Sequence, residues 1–188
     1  MVPLTEQLEI TSASHILYIY ENTDYYIENM LAYIKAGIAQ EDHIVIIENP
    51  TIFKKIVYRL NGLFSRQQRE LIHYIDNYSF YQCYGNFHTL SILNHFNELV
   101  DPFLNNNTVR TWGHVEWKKQ ENIFNKLEKY ERLVDYDVNE MGLMSVCAYD
   151  ASSVSAALQT SMMRSHEYLM TDKELVRSSL YGYVSLSK

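Results

Sequence analysis

The sequence predicts a three-layer α/β domain, a mostly parallel sheet with helices on both faces. Strand-like and helix-like stretches alternate about five times along the chain. The strand-like stretches are short and apolar nearly throughout, as strands covered on both faces are. The stretches between them space their apolar residues by three and four, the period of a helix with one buried face.

Taken in order, "HILYIYE" (15–21) and "HIVIIEN" (43–49) are the first two strands. Between them Ile27, Met30, Leu31 and Ile34 mark an amphipathic helix, with Thr23 or Asp24 at its start and Gly37 at its end. Pro50 suits the first turn of the next helix, "TIFKKIVYRLNGLF". "LIHYIDNYSFY" (71–81) is expected to be a third strand, and "FHTLSILNHFNELVDPFL" (87–104) a helix as far as Pro102. "TVRTWGHVEW" (108–117) is the fourth strand, "KKQENIFNKLEKYERLVDYDV" (118–138) a charged amphipathic helix, and "GLMSVCAYD" (142–150) the fifth strand. "SSVSAALQTSMMRSHEYLM" (152–170) reads as a helix throughout, and "SSLYGYVSLS" (178–187) as either an added edge strand or an unpaired tail.

Length and composition bound the function. A chain of 188 residues, 47% hydrophobic, suits one domain with a substantial core. With 6 Gly and 3 Pro it offers no linker, and "NNN" (105–107) reads as a turn. There is no internal repeat and no low-complexity segment. The first residues lack the basic and apolar regions of a signal peptide, and no run approaches the roughly 18 apolar residues that span a bilayer. Cys83 and Cys147 stand far apart in no metal-type spacing, which favours free thiols in a reducing cytosol. A net charge of −7, spread along the chain, argues against direct nucleic-acid binding. Lys54, Lys55 and Arg59, and Lys118 with Lys119, read as solvated faces.

A strand, a turn, a helix and a strand closed by an acidic residue are how many nucleotide-binding α/β proteins begin. A phosphate loop, however, needs glycines so that backbone N–H groups can surround the phosphates, and a Lys as counter-charge. Between Tyr20 and Met30 there is no Gly, Lys or Ser, and Glu21, Asp24 and Glu28 would repel a triphosphate. At about 4–6 Å and an effective dielectric near 20, each carboxylate opposes a phosphate charge by several kcal/mol.

"NMLAYIKAGIAQEDHIVIIENP" resembles the helix and second strand of RecA/KaiC-type ATPases. More specifically, "HILYIYEN", "YIKAGIAQEDHIVII", "RTWGHVEW", "YERLVDYD", "VCAYD" and "SHEYLM" resemble, in order and spacing, the MEDS domain, the methanogen/methylotroph sensory domain. That resemblance spans 15–170, leaving 1–14 and 171–188 as extensions. It implies a RecA-like fold without ATPase chemistry, used to sense small, hydrocarbon-like molecules, alone or fused to signalling and DNA-binding modules. One departure is His114, where the family pattern after Arg110 places an acid; Glu116 lies two residues on.

Alternation along "RTWGHVEW" puts Arg110, Trp112, His114 and Glu116 on one strand face. Glu21, Glu48 and Asp150 each close a strand, so the fold gathers them on one rim, where open α/β sheets bind ligands. Tyr20 and Tyr149 add amphipathic rings. Ligand binding therefore centres on Tyr20, Glu21, Glu48, Arg110, Trp112, His114, Glu116, Tyr149 and Asp150. A structural network is the alternative, with Arg110 and Glu116 bonding to each other or to strand ends and Asp150 capping the helix that follows it. No catalytic residue, cofactor or metal is assigned: His114-x-Glu116, with His15 or His166 nearby, is too weak a metal signal. Cys147 reads as inert core, and His88 and His95 as solvated or satisfied histidines. The expected protein is a cytoplasmic, non-enzymatic sensor of a small molecule. It would act through a signalling partner such as a histidine kinase or transcription regulator, with homodimerisation open. A ligand-free adaptor or inhibitor and a divergent nucleotide-dependent enzyme are the alternatives.

Overall fold

The structure, a computed structural model, describes residues 8, 13–81, 86–104 and 108–182. In chain order its elements are β1 (Ser14–Tyr20), α1 (Thr23–Ala39), β2 (His43–Glu48), α2 (Pro50–Leu63), α3 (Arg66–Arg69), β3 (Ile72–Asp76), α4 (Asn77–Tyr81), α5 (Thr89–Leu104), β4 (Val109–His114), α6 (Ile123–Met141), β5 (Met144–Asp150), a 3₁₀ turn (Ala151–Ser153), α7 (Ala156–Met162), β6 (Tyr168–Met170) and β7 (Leu175–Arg177). The strands form one sheet in the order β3-β2-β4-β5-β1-β6-β7. Every pairing among them is parallel except β6 with β7.

Strand parity divides the core into two layers. Ile16, Tyr18 and Tyr20 of β1, Trp112 of β4 and Val146 of β5 pack against α1 and α2. Leu17, Val45, Cys147 and Tyr149 point the other way, against α5, α6 and α7. A core apolar on both faces is what continuous apolar strands require.

Local signals explain most element ends. Asn22, not Thr23 or Asp24, caps α1, its side chain accepting the Asp24 and Tyr25 N–H groups. Asn49 caps α2, with Pro50 in the first turn. Gly37 does not end α1, which runs to Ala39. Its lack of a side chain serves packing instead: a Cβ there would lie 2.8 Å from both Arg110 Cδ and Ile44 Cδ1. Gly142, at φ 68°, does close α6, in the left-handed geometry glycine favours.

Elsewhere tertiary pairing overrides periodicity. The expected third strand stops at Asp76 and turns into α4. Helix α5 passes through Pro102 to Leu104, although the proline has no N–H to give the carbonyl four residues back. Strand β4 ends at His114 rather than reaching residue 117, although Val115 N–H still bonds Ala148 O at 2.9 Å. The helix expected over 152–170 ends at Met162. Residues 168–170 instead pair with β1 in register Ile16↔Tyr168, covering an edge that would otherwise be open. The added edge strand is β7 at 175–177, ahead of the expected tail, of which 183–187 lie outside the described residues. Cys83 also lies outside them.

Candidate functional site

The site forms where the chain leaves the four inner strands. After β1 and β2 it turns to the α1/α2 layer, after β4 and β5 to the α5/α6/α7 layer, so their C-terminal ends border a crevice of the kind that binds ligands in open α/β sheets. Tyr20, Glu48, His114 and Asp150 stand at those ends.

Three of these side chains belong to one hydrogen-bonded relay. His114 Nδ1 faces Glu48 Oε1 at 2.6 Å, and His114 Nε2 faces the Tyr20 hydroxyl at 2.9 Å. A carboxylate only accepts, so Nδ1 carries a proton. The Tyr26 hydroxyl donates to Glu48 Oε2. Trp112 Nε1–H in turn donates to the Tyr26 oxygen at 2.8 Å, and Asn49 N–H to Glu48 Oε1 at 2.6 Å. All five relay side chains are buried.

The charge state follows from these contacts. Burial works against an imidazolium at His114, but the hydrogen bond and charge of Glu48, with the nearby Glu116 and Asp150, outweigh it and raise its pKa. Burial, then Asp150 and Glu48, raise the Tyr20 phenol far out of the physiological range. A neutral tyrosine hydroxyl thus meets a histidine poised to be a cation beside a buried carboxylate.

At the outer end lies a cleft of about 130 Å³ lined by Tyr20, His114, Val115, Glu116, Trp117 and Asp150. It has room for a molecule of only a few non-hydrogen atoms. Glu116 Oε2 accepts from Asn77 Nδ2 at 2.8 Å and Asn49 Nδ2 at 3.1 Å, which fixes it at the rim. Asp150 Oδ1 accepts the Ser152 N–H at 2.8 Å and its hydroxyl at 2.6 Å, the capping role open to it from the sequence.

The expected site residues separate accordingly. Tyr20, Glu48, His114, Glu116 and Asp150 converge. Trp112 shares their face but is fully buried below the cleft. Arg110 lies at the opposite end of β4, where Nε donates to Asp42 Oδ2 at 2.6 Å and Nη2 to Gln40 Oε1 at 3.2 Å; it does not meet Glu116. Tyr149 lies on the other face, its hydroxyl donating to Glu131. Glu21 borders a separate cleft of about 600 Å³ shared with Asn22, Tyr25, Gln159 and Asp172. His15 and His166 do not join His114; they meet Glu131 and Cys147 on the opposite face of the sheet.

Sequence reasoning missed Tyr26, Asn49 and Asn77. Tyr26 and Asn49 carried a signal, one lying on the buried face of α1 four residues before Met30, the other preceding Pro50 as a cap. Asn77 was hidden in the residues read as a continuing strand.

The MEDS family model, the methanogen/methylotroph DcmR sensory domain, matches residues 14–167. Among solved structures, a KaiC-like protein from the hyperthermophilic archaeon Pyrococcus horikoshii has TM-score 0.57 at 11% identity, over 85% of this chain and 71% of that one. A second solved structure, an ATPase domain, has TM-score 0.57 at 9% identity, over 94% of this chain and 74% of that one. At such identities the likeness is one of fold. No curated protein matches the chain in sequence.

Proposed function

Since the chain belongs to the MEDS family of sensory domains, we propose that it senses a small molecule in the rim cleft, without turnover, and passes its state to a signalling protein by association. The observation that carries this reading is the relay from Tyr20 through His114 and Glu48 to Tyr26 and Trp112. A molecule touching Tyr20 or His114 acts on one end of a hydrogen-bond chain whose other end is buried in the α1 layer. Its occupancy would thus alter packing beneath α1 and α2, the outer surfaces available to a partner such as a histidine kinase or transcription regulator.

The lining favours a particular ligand chemistry. Glu116 and Asp150 offer acceptors, and a short carbon skeleton is all that about 130 Å³ admits. A small alcohol, amine or amide fits better than a bare hydrocarbon. A ligand-free adaptor is the second reading, favoured by how fully the relay is satisfied within the chain.

The test is a thermal-shift and native mass-spectrometric screen of small alcohols, amines and amides on the wild type and His114→Gln. A ligand that raises the melting temperature of the wild type, binds one to one unchanged, and loses its effect in the variant supports the sensor. A screen in which nothing binds, or in which binding ignores His114, favours the adaptor.

A further inference from the structure

On the opposite face of the sheet from the relay, His15 of β1, Cys147 of β5, Glu131 of α6 and His166, beyond α7, bring their ligand atoms within 4.8 Å of one another. All four are buried, Glu131 and His166 completely.

Hydrogen bonding assigns their protons. His15 Nδ1 lies 2.8 Å from Ser165 O, and His166 Nδ1 lies 2.7 Å from Met162 O. A backbone carbonyl only accepts, so each Nδ1 carries its hydrogen, and a ring with no second proton turns a bare Nε2 inward. The Tyr149 hydroxyl donates to Glu131 Oε1, leaving Oε2 as the inward oxygen. Glu131 Oε2 and His166 Nε2 are buried without a hydrogen bond, although only 3.2 Å apart. His15 Nε2 lies 3.4 Å from Cys147 Sγ and 3.5 Å from Glu131 Oε2.

The Cys147 thiol can give its one hydrogen to His15 Nε2, which leaves Glu131 Oε2 and His166 Nε2 facing each other in a dry interior with a cation needed between them. One proton on His166 would serve that pair alone, and two imidazolium ions are a poor answer, because the His15 and His166 rings stack at 3.7 Å between centroids. The spacings suggest a better one. A tetrahedron with arms of about 2.0–2.3 Å, the usual zinc bonds to nitrogen, oxygen and sulfur, has edges of roughly 3.3–3.7 Å. Three of the six separations, 3.2, 3.4 and 3.5 Å, fall at or near those edges, and the rest lie within 4.8 Å.

We propose that His15 Nε2, His166 Nε2, Glu131 Oε2 and Cys147 Sγ bind one divalent transition-metal ion, zinc by donor chemistry. Two imidazoles, a thiolate and a carboxylate are a nitrogen, sulfur and oxygen set that suits zinc rather than magnesium or calcium. The two ligand charges cancel the ion's, so the buried site is neutral once the thiol proton is released on binding. The outer contacts are those of metal sites: each histidine anchored through Nδ1 to a carbonyl, and the carboxylate held by Tyr149. Asp135 Oδ1, 3.4 Å from His15 Nδ1, adds a further outer contact. With four protein ligands and no open position the ion is structural, and it ties β1, β5 and α6 to the turn leading into β6.

The test uses the full chain expressed in zinc-supplemented medium and purified without chelator. Elemental analysis and native mass spectrometry are expected to find one zinc per chain, and a strong chelator to remove it with a fall in melting temperature. Refolding with cobalt is expected to give the thiolate-to-cobalt charge-transfer band and the intense visible bands of tetrahedral geometry. Cys147→Ser should abolish the charge-transfer band, and Tyr149→Phe should keep it while weakening affinity roughly 10–100-fold. If Cys147→Ser does not fold, the wild-type cobalt spectrum still decides. A folded wild type that carries no metal, takes up none on refolding with excess zinc and is indifferent to chelator overturns the proposal, as does bound cobalt without a thiolate band.

Discussion

Asp172 Oδ2 accepts the backbone N–H of Asn22 at 3.1 Å. The same oxygen accepts Glu21 N–H at 3.3 Å, while Oδ1 takes the Tyr18 hydroxyl at 2.7 Å. In a phosphate-binding fold the N–H groups between the first strand and helix surround a phosphate. Here that connection is two residues, Glu21 and Asn22, and a carboxylate from the β6–β7 turn takes their donors. The helix N–H groups of Asp24 and Tyr25 are already held by Asn22 Oδ1.

Mg-ATP is therefore expected to give no binding heat in calorimetry and no hydrolysis. Asp172→Ala should lower stability by about 1–2 kcal/mol, the usual worth of lost charge-assisted hydrogen bonds, without creating an ATP site. Micromolar ATP affinity that disappeared on mutating residues 21–28 would refute this.

His114 gives a pH dependence with a definite sign. Its pKa is raised on folding, because Glu48 and the rim carboxylates outweigh burial. Its stabilising contribution is thus complete below the ordinary imidazole value of about 6.5 and is lost as pH rises through the higher folded value. Urea titrations from pH 5 to 9 should show wild-type stability falling relative to His114→Gln across that window. A difference that stays flat, or grows with pH, would mean the imidazolium is not the favoured form. His73, lowered by burial and then by His43, contributes with the opposite sign in both proteins and cancels in the comparison.

Trp112 is wholly buried, and its ring lies among Tyr18, Tyr26 and Tyr33 with centroids 5.3–5.7 Å apart. Trp112→Ala is expected to cost about 3–5 kcal/mol in chemical denaturation, the range for large aromatic truncations in cores. Tyr58→Ala, at a side chain 85% exposed, should stay within about 0.5 kcal/mol and serves as the control. Near-neutral behaviour of Trp112→Ala would instead make this residue a pocket wall.

The buried Arg110–Asp42 pair predicts two further losses. Arg110→Met leaves Asp42 as an uncompensated buried charge and should cost about 3–5 kcal/mol. Gly37→Ala would gain about 1 kcal/mol on helix propensity alone. Here its Cβ would meet Arg110 Cδ and Ile44 Cδ1 at 2.8 Å, so the melting temperature should fall. A rise would show that the Arg110 stem yields without loss.

What the sequence by itself determined was whatever rests on local order. Apolar runs placed β1, β2, β4 and β5 to within a few residues, three- and four-residue spacing placed α1, α2, α5 and α6, and strand alternation put Arg110, Trp112 and His114 on one face. The turn after β1 was likewise legible as acidic and free of glycine. What only the tertiary structure decided was which distant groups meet. Residues 168–170 have a helical pattern yet pair with β1, because an open edge of a buried strand is worth more to cover than one more helical turn. Asp172 lies 150 residues from the Asn22 N–H it accepts. His15, Glu131, Cys147 and His166 have no motif spacing at all; they converge because β1 and β5 are paired and α6 packs across them. Periodicity tells which face a side chain takes, but not what stands opposite it, since that depends on strand order and on how helices cross the sheet.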